Sequence, residues 1–200
     1  GNSYFGDNGK AIFGAGSDLQ IYHDGSNSYI RDLGTGNLII QGENLALTNT
    51  SGTQYMSATN GGPTYIHYSG SAKLATTSTG ADVTGELIAD SYNETYAALS
   101  GTSPAVNCHN GNSFSLVLSG NSTFTFTNPP ASGTAYSFSV EIIQDSGGSG
   151  YTVTWPSSVD WPSATAPTLT ADANAKDIFV FTTRDGGTNW YGFTAGQALG

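Results

Sequence analysis

The first ninety residues consist of short apolar runs separated by turn-forming residues. Runs such as 19–22, 64–68 and 72–75 contain four or five residues in which apolar and polar side chains tend to alternate. This two-residue period is typical of a β-strand. Asp-Gly at 24–25 and Gly-Gly at 61–62 are strong turn signals between such runs. The pattern predicts many short strands joined by tight turns.

Strands of this length cannot form a core in a single copy. Each supplies two or three apolar residues, whereas ordering the backbone costs ~1–2 kcal/mol per residue. Repeated units of this kind must stack, either as coils of a single-chain parallel β-helix or as three chains around one axis. Regular coils need even apolar spacing, and here the spacing is uneven (19, 38, 45, 66, 74, 83). We therefore predict an intertwined trimeric shaft, β-helix-like or β-prism-like, over residues 1–90.

Residues 91–103 are predicted to be a linker. Ser91 and Glu94 have the spacing of a helix capping box, so residues 95–99 fit a short helix. An ordinary strand over 96–99 fits the same residues equally well, and both alternatives stay open.

From residue 104 onward the apolar alternation extends over longer strands. Residues 136–142 alternate along one face, and residues 176–183 are apolar on both faces, which predicts a central strand. About seven strands at this spacing predict an antiparallel β-sandwich, jelly-roll-like, as a C-terminal head over residues 104–200. The fold class is therefore all-β, with a trimeric shaft followed by this head.

Charge and composition exclude several kinds of partner. The net charge is −10 and only five residues are Lys or Arg, so no basic patch is available for nucleic acid. No apolar stretch approaches the ~18–20 residues of a membrane-spanning helix, so we expect no membrane insertion. Cys108 is the only cysteine, which rules out an intrachain disulfide. Residues 1–5 read like the interior of a longer polypeptide, and we expect sequence upstream of them.

Several segments resemble tail-fibre and structural fibre proteins of marine tailed bacteriophages. They are LQIYHDGSNSYI at 19–30, AKLATTSTGADVTGEL at 72–87, NPPASGTAYSF at 128–138, IIQDSGGSGYTVTWPSSVDWP at 142–162 and RDGGTNWYGFTAGQALG at 184–200. The resemblance implies a homotrimer, an extracellular virion location in the tail fibre, upstream fibre or baseplate proteins as neighbours, and adhesion to a bacterial surface.

The chain departs from that family at two places. Arg184 stands where the resemblance leads us to expect His, and His109-Asn110 stands where a less polar pair is expected. If the family's His contributes to a receptor or metal site, this chain lacks that contribution.

Aromatic residues close to loops are the leading receptor-binding candidates, because sugar rings stack on exposed aromatic faces and nearby Asp and Asn bind hydroxyls. Trp155 and Trp190 equally fit the sandwich core or a trimer interface, whereas Trp161 is expected to be more exposed. The receptor-binding candidates are Trp161, Asp160, Tyr151, Asp185, Asn189 and Trp190.

No catalytic residues are predicted, because the carboxylates stand beside Gly or Asn in turn contexts, where Asp side chains bind nearby backbone amides. Three histidines around a trimer axis would be able to hold a structural metal ion, which makes His23, His67 and His109 metal candidates. Each also fits a surface or aromatic-stacked histidine, and Cys108 fits a small buried apolar residue. No other cofactor is expected.

These observations predict the distal segment of a phage tail fibre, a homotrimeric structural protein that adheres to a bacterial surface receptor. Glycan is the favoured receptor, and an outer-membrane protein is the other kind considered. Two alternatives remain: a purely architectural virion fibre or spacer without receptor binding, and a surface-glycan depolymerase, which would need an acidic pair in a groove.

Overall fold

The computed structural model describes residues 2–200 and is all-β, with 44% of residues in strands and 3% in helical turns. Its contacts divide the chain into two compact units, one ending at Ile88 and the other beginning at Ala89. Within residues 2–200, none of the helical turns has the length and apolarity needed to span a bilayer.

The N-terminal unit contains eight strands arranged as two antiparallel meanders. One sheet has the order β1-β2-β3 and the other the order β4-β5-β6-β7-β8, so every strand pairs with its neighbour in the chain. The strands are β1 (Lys10–Phe13), β2 (Leu19–His23), β3 (Ser28–Asp32), β4 (Asn44–Thr48), β5 (Gln54–Thr59), β6 (Thr64–Tyr68), β7 (Ser71–Thr77) and β8 (Gly80–Val83).

Aspartates form the turns of this unit, as their sequence contexts predicted. The Asp24 carboxylate accepts hydrogen bonds from the backbone N–H groups of Ser26 (2.9 Å) and Asn27 (2.8 Å). These bonds, led by the one from Asn27, hold the pKa of Asp24 below its usual range. Asp32 likewise accepts from the N–H of Gly34 at 2.9 Å.

Each N-terminal sheet is a single layer with one apolar face. In the five-stranded sheet, the register aligns one apolar residue from every strand into a row across the sheet: Leu47, Met56, Ile66, Leu74 and Val83. Four of these five side chains are 39–49% exposed. Gln20 is the only buried residue among the described residues of this unit, so neither sheet has a core.

The C-terminal unit contains ten strands around one aromatic core. A six-stranded sheet has the order β16-β18-β17-β14-β11-β9, and the short pairs β10-β13 and β12-β15 cover one of its faces. The strands are β9 (Tyr96–Leu99), β10 (Ala105–Asn107), β11 (Ser113–Val117), β12 (Ser122–Thr123), β13 (Thr125–Thr127), β14 (Tyr136–Ile143), β15 (Val153–Thr154), β16 (Val159–Asp160), β17 (Lys176–Thr183) and β18 (Trp190–Leu199), with 3-10 turns at Cys108–Asn110 and Pro162–Ala164.

The core of this unit lies between the six-stranded sheet and the two short pairs. Phe181 is fully buried, and its ring centroid lies 5.1 Å from Phe138 on the same sheet and 5.1 Å from Phe126 on the opposite layer. Trp155, also on the opposite layer, lies 5.0 Å from Phe181. The alternating apolar residues of β14 and β17 therefore point into one shared core, and β17 is the central strand that the sequence predicted.

The prediction of a wholly antiparallel head is wrong in part. The pairs β14-β17 and β17-β18 are antiparallel, but β9-β11, β11-β14 and β16-β18 are parallel. Parallel neighbours need a crossover connection, and here the chain crosses to the other layer between them: β10 lies between β9 and β11, and β12 and β13 lie between β11 and β14.

Of the two alternatives for residues 95–99, the helix is wrong and the strand is confirmed. Residues 96–99 form β9, which pairs with β11 at the edge of the large sheet. The Tyr96 hydroxyl lies 2.6 Å from Ser115 Oγ, while Ala97 and Leu99 pack against the core. This packing outweighs the local capping signal at Ser91, because a single helical turn has little stability of its own.

Candidate binding surface of the C-terminal unit

The large sheet has two ends, and the loops at each end form separate surfaces. Tyr136 lies opposite Thr183 at one end of the β14-β17 pair, and Ile143 lies opposite Lys176 at the other. Seven residue steps at ~3.3 Å place the ends about 23 Å apart. We call the end that carries Thr183 the hairpin end, because the β17-β18 turn lies there.

Trp190 is a buried core residue and not a receptor-stacking platform, which corrects its inclusion among the binding candidates. It is 1% exposed and points into the core from β18. Its ring centroid lies 5.1 Å from Phe126 and 5.3 Å from Phe138. Because both faces of the indole are enclosed, no sugar ring can stack on it while the unit is folded.

Trp161 is half-buried and serves as a cover over the core. Its ring lies on the backbone of Gly192, where an added Cβ would come within 2.9 Å of ring carbons. The ring centroid also lies 5.7 Å from Trp155 and 5.6 Å from Phe181. One face of the indole is thus used in packing, and only the remainder is available to a ligand.

Asp185 and Asn189 bind each other across the hairpin turn. Asp185 Oδ1 accepts from the backbone N–H of Asn189 (3.0 Å) and from Thr183 Oγ1 (3.0 Å), and its Oδ2 accepts from Asn189 Nδ2 (2.7 Å). The backbone bond from Asn189 is the main reason that the pKa of Asp185 lies below its usual range. These two side chains therefore shape the turn, and most of their polar capacity is already used.

The other two binding candidates lie at opposite ends of the sheet. Asp160 is exposed on β16 and sits in register with Tyr191 of β18, at the hairpin end. Tyr151 is half-buried at the far end, where its backbone N–H donates to Gln144 Oε1 (3.1 Å) and its carbonyl accepts from Gln144 Nε2 (2.8 Å). The structure therefore does not bring all six predicted residues into one site.

A depression at the hairpin end is lined by residues that the sequence candidates did not include. It has a volume of about 300 Å³ and is lined by Ala135, Thr182, Thr183, Arg184 and Tyr191. Tyr191 is 40% exposed, because it follows buried Trp190 and consecutive strand residues point to opposite faces. The alternation of inward and outward residues along the strand is the sequence signal that could have identified Tyr191 as exposed.

The lining of this depression offers two kinds of contact. Tyr191 presents an aromatic face and Arg184 an exposed guanidinium, whereas the Thr182 hydroxyl already donates to the carbonyl of Tyr136 (3.2 Å) and accepts from Ser137 Oγ (2.9 Å). Guanidinium groups bind carboxylates through two parallel hydrogen bonds, and aromatic faces pack against apolar surfaces such as a sugar ring. The arrangement suits a sugar that carries a carboxylate group.

The three histidines lie in separate places. His23 is exposed, with Nδ1 3.3 Å from Ser28 Oγ. His67 is half-buried beside Tyr65, and its buried Nδ1 has no hydrogen-bond partner among the described residues. His109 is exposed in the first 3-10 turn. Within residues 2–200 of one chain, no three His, Cys, Asp or Glu side chains group closely enough to hold a metal ion; an axial site built from three chains stays a prediction.

Cys108 is the small buried apolar residue that the sequence predicted. It is 7% exposed, and burial raises its pKa. Burial also raises the pKa of neighbouring Tyr136, whose hydroxyl donates to the carbonyl of Gly111 at 2.5 Å. A protonated, enclosed thiol is unreactive, so Cys108 acts here as a small apolar core residue.

Comparison of the chain with protein-family models, with curated proteins and with solved structures finds no match.

Proposed function

We propose that the chain is a distal segment of a homotrimeric tail fibre of a tailed bacteriophage, which attaches the virion to a bacterial surface glycan. The observation that carries the proposal is the row of apolar side chains across the uncovered face of the five-stranded sheet. Soluble monomers rarely expose contiguous apolar surface of this kind without a partner.

Three copies around one axis would cover such faces. Leu47, Ile66, Leu74 and Val83 are each at least 39% exposed in a single chain, and at ~25 cal/mol per Å² their burial is a main source of stability for a sheet without its own core. A β-prism-like shaft would turn this face toward the axis. The first sheet fits the same arrangement, because Ala11, Ile21 and Ile30 align across its three strands.

The C-terminal unit fits the head of such a fibre. Its two layers enclose a shared aromatic core, which is the general plan of a β-sandwich, and we propose a jelly-roll-like head with mixed pairing. The C-terminal segments at 128–138, 142–162 and 184–200 carry the longest resemblance to phage tail fibres, which supports placing this unit at the fibre's end.

Adhesion is assigned to the hairpin end of the head. The depression with Tyr191 and Arg184 suits an acidic sugar, and the net charge of −10 disfavours nucleic acid and anionic lipid surfaces. A trimer presents three such depressions, so that weak individual contacts add up through multivalency.

The molar mass of the full chain in solution tests the trimer. We expect the mass of three chains from light scattering, together with a β-type circular dichroism spectrum. A stable monomer with the same β-type spectrum would refute the proposal, because the exposed apolar faces would then persist without a partner.

Binding of the labelled trimer to immobilised bacterial surface polysaccharides, neutral and acidic, tests adhesion. We expect Tyr191→Ala to weaken binding to the retained polysaccharide by about tenfold, the loss of one aromatic contact of ~1.4 kcal/mol. Thr154→Ala, an exposed strand residue of the same unit, is the matched control and should bind like the native chain.

A purely architectural fibre is the second candidate. It is favoured by one observation: Trp155 and Trp190 are buried and Trp161 packs against the core, which removes most of the aromatic surface that the sequence offered to a receptor. An intact trimer that binds neither whole bacteria nor their polysaccharides would support this candidate over adhesion.

A further inference from the structure

The six-stranded sheet has an outer face, opposite the core, on which nothing within the C-terminal unit packs. In register across this face run Tyr96, Ser113, Ser139, Val180 and Phe193, one from each of five strands. A second row contains Val117, Ile143, Lys176 and Leu199. In a sheet that faces water, these positions would be polar.

The residues of the outer face are instead mainly apolar or small. Tyr96, Val117 and Phe193 are 61%, 58% and 49% exposed. Ile178 and Val180 occupy the middle of the central strand β17, where they alternate with Asp177, Phe179 and Phe181, which point to the core side. This is why residues 176–183 are apolar on both faces although only one face has a core beneath it.

The opposite layer shows what a solvent-facing surface looks like in the same unit. Three of its outward strand positions are Thr123, Thr125 and Thr154, all exposed, and the others are Ala105, Asn107 and Thr127. Thr has the shape of Val but carries a hydroxyl that binds water. Among the described residues of this layer no Val or Ile faces outward, whereas Val117, Ile143, Ile178 and Val180 stand on the outer face of the large sheet, among serines.

We propose that the outer face, between the row that contains Tyr96 and Phe193 and the row that contains Val117 and Leu199, is an interface between copies of this chain. This inference rests on the trimer proposed above and assigns its contact surface in the head. Thr182 and Tyr191 lie beyond the first row, at the hairpin end, and stay outside this interface. Between the two rows, five strands at ~4.8 Å spacing and four residue steps at ~3.3 Å give a patch of about 300 Å² in projection. This is a part of the ~800 Å² that each partner contributes to a standard interface, and the apolar faces of the N-terminal sheets add to it in the trimer proposed above.

The charges on the face fit a second copy of the same chain. Glu141 and Lys176 both lie on it, and neither side chain has a hydrogen-bond or ion-pair partner among the described residues. The chain carries ten more acidic than basic residues, so most of its surfaces repel another copy. Between the two rows one acid is balanced by one base, since the other acid of this face, Asp160, lies at the hairpin end in register with Tyr191. Two copies can therefore pair the carboxylate of one with the ammonium of the other.

Cysteine labelling tests whether the face is covered. Val117→Cys places a thiol on the outer face, and Thr125→Cys places one on the opposite layer; both native residues are exposed in a single chain. The native Cys108 is buried and supplies a low background. In the trimer we expect a maleimide reagent to label Val117→Cys at least an order of magnitude more slowly than Thr125→Cys.

A zero-length carbodiimide cross-link tests what covers the face. Lys176 is the only lysine in the C-terminal unit, so a product with Glu141 is unambiguous by peptide mass. Glu141→Gln chains are co-expressed with Lys176→Gln chains, because only a contact between two chains can then join Glu141 to Lys176. We expect this cross-linked product in the mixed trimers.

The outcomes separate the inference from the proposal on which it rests. A monomeric native chain would overturn both. A native trimer in which Val117→Cys and Thr125→Cys react equally fast would overturn the interface and leave the trimer standing. Slow labelling of Val117→Cys without the cross-link in mixed trimers would show that another part of the chain covers the face, and would also overturn the inference.

Discussion

The contact between Trp161 and Gly192 allows a quantitative test of the head's packing. An added Cβ at Gly192 would lie 2.9 Å from carbons of the Trp161 ring, closer than side-chain atoms approach one another in folded proteins. The Gly192→Ala substitution therefore has to displace the Trp161 indole from the backbone of residue 192. Overpacking of this kind costs ~1–3 kcal/mol of unfolding free energy.

Removing the indole should abolish that cost. Trp161→Ala alone is expected to lower the unfolding free energy by about 2–3 kcal/mol, below the ~3–5 kcal/mol of a fully buried Trp because the ring is half-exposed. On this background, Gly192→Ala meets no ring and gains up to ~1 kcal/mol, because Gly in a strand interior is unfavourable relative to Ala. The two changes are therefore expected to be non-additive by about 2 kcal/mol.

Urea unfolding followed by tryptophan fluorescence is the appropriate assay. All three tryptophans lie in the C-terminal unit, so the signal reports that unit, and Trp155 and Trp190 retain it when Trp161 is replaced. Protein concentration must be held constant, since association adds to apparent stability. If Gly192→Ala lowers the unfolding free energy by the same amount with and without the indole, the described contact of Trp161 with Gly192 is incorrect.

Three further predictions concern the same unit. Phe181→Ala, which removes a fully buried ring, should lower the unfolding free energy in urea by ~3–5 kcal/mol. Asp177→Ala should lower it by about 3 kcal/mol, because the buried carboxylate accepts from the N–H groups of Thr170 (2.7 Å) and Ala198 (3.0 Å) and its loss leaves both unpaired; a loss below ~1 kcal/mol would contradict this. Folding lowers the pKa of Asp185, so its contribution to folding stability is present above about pH 4 and is lost as the pH falls through the folded-state pKa. The melting temperature should therefore decrease less steeply with falling pH in Asp185→Asn than in the native chain.

The sequence predicted the strand content well because side-chain alternation is a local property. The alternation along β14 and β17 identified the residues that point into the core. Trp155 and Trp190 also lie in the core, which was one of the interpretations that the sequence allowed for them. Asp24 and Asp185 likewise form the turns that their Gly and Asn neighbours indicated.

Pairing direction and site composition depend on contacts far apart in the sequence, and there the predictions failed. Nothing in residues 96–99 indicates that they join β11, because the contact of Tyr96 with Ser115 exists only once the sheet has formed. Tyr151 and Asp185 appeared equally accessible in loops, but the length of β14 places them at opposite ends of the sheet. Trp190 was included as a binding residue where its neighbour Tyr191 is the exposed one.

The different connectivity of the two units has a consequence for how the chain folds. Every strand pair of the N-terminal unit joins sequence neighbours, and such hairpins form within microseconds, yet without a core they also open readily. The C-terminal unit pairs strands that are distant in the sequence, which slows its folding. It has a core of its own, however, which stabilises the strand pairs once they have formed. In the trimer that we propose, we therefore expect the C-terminal unit to reach its native state first and to align the three chains, so that the N-terminal hairpins find their partners already in register.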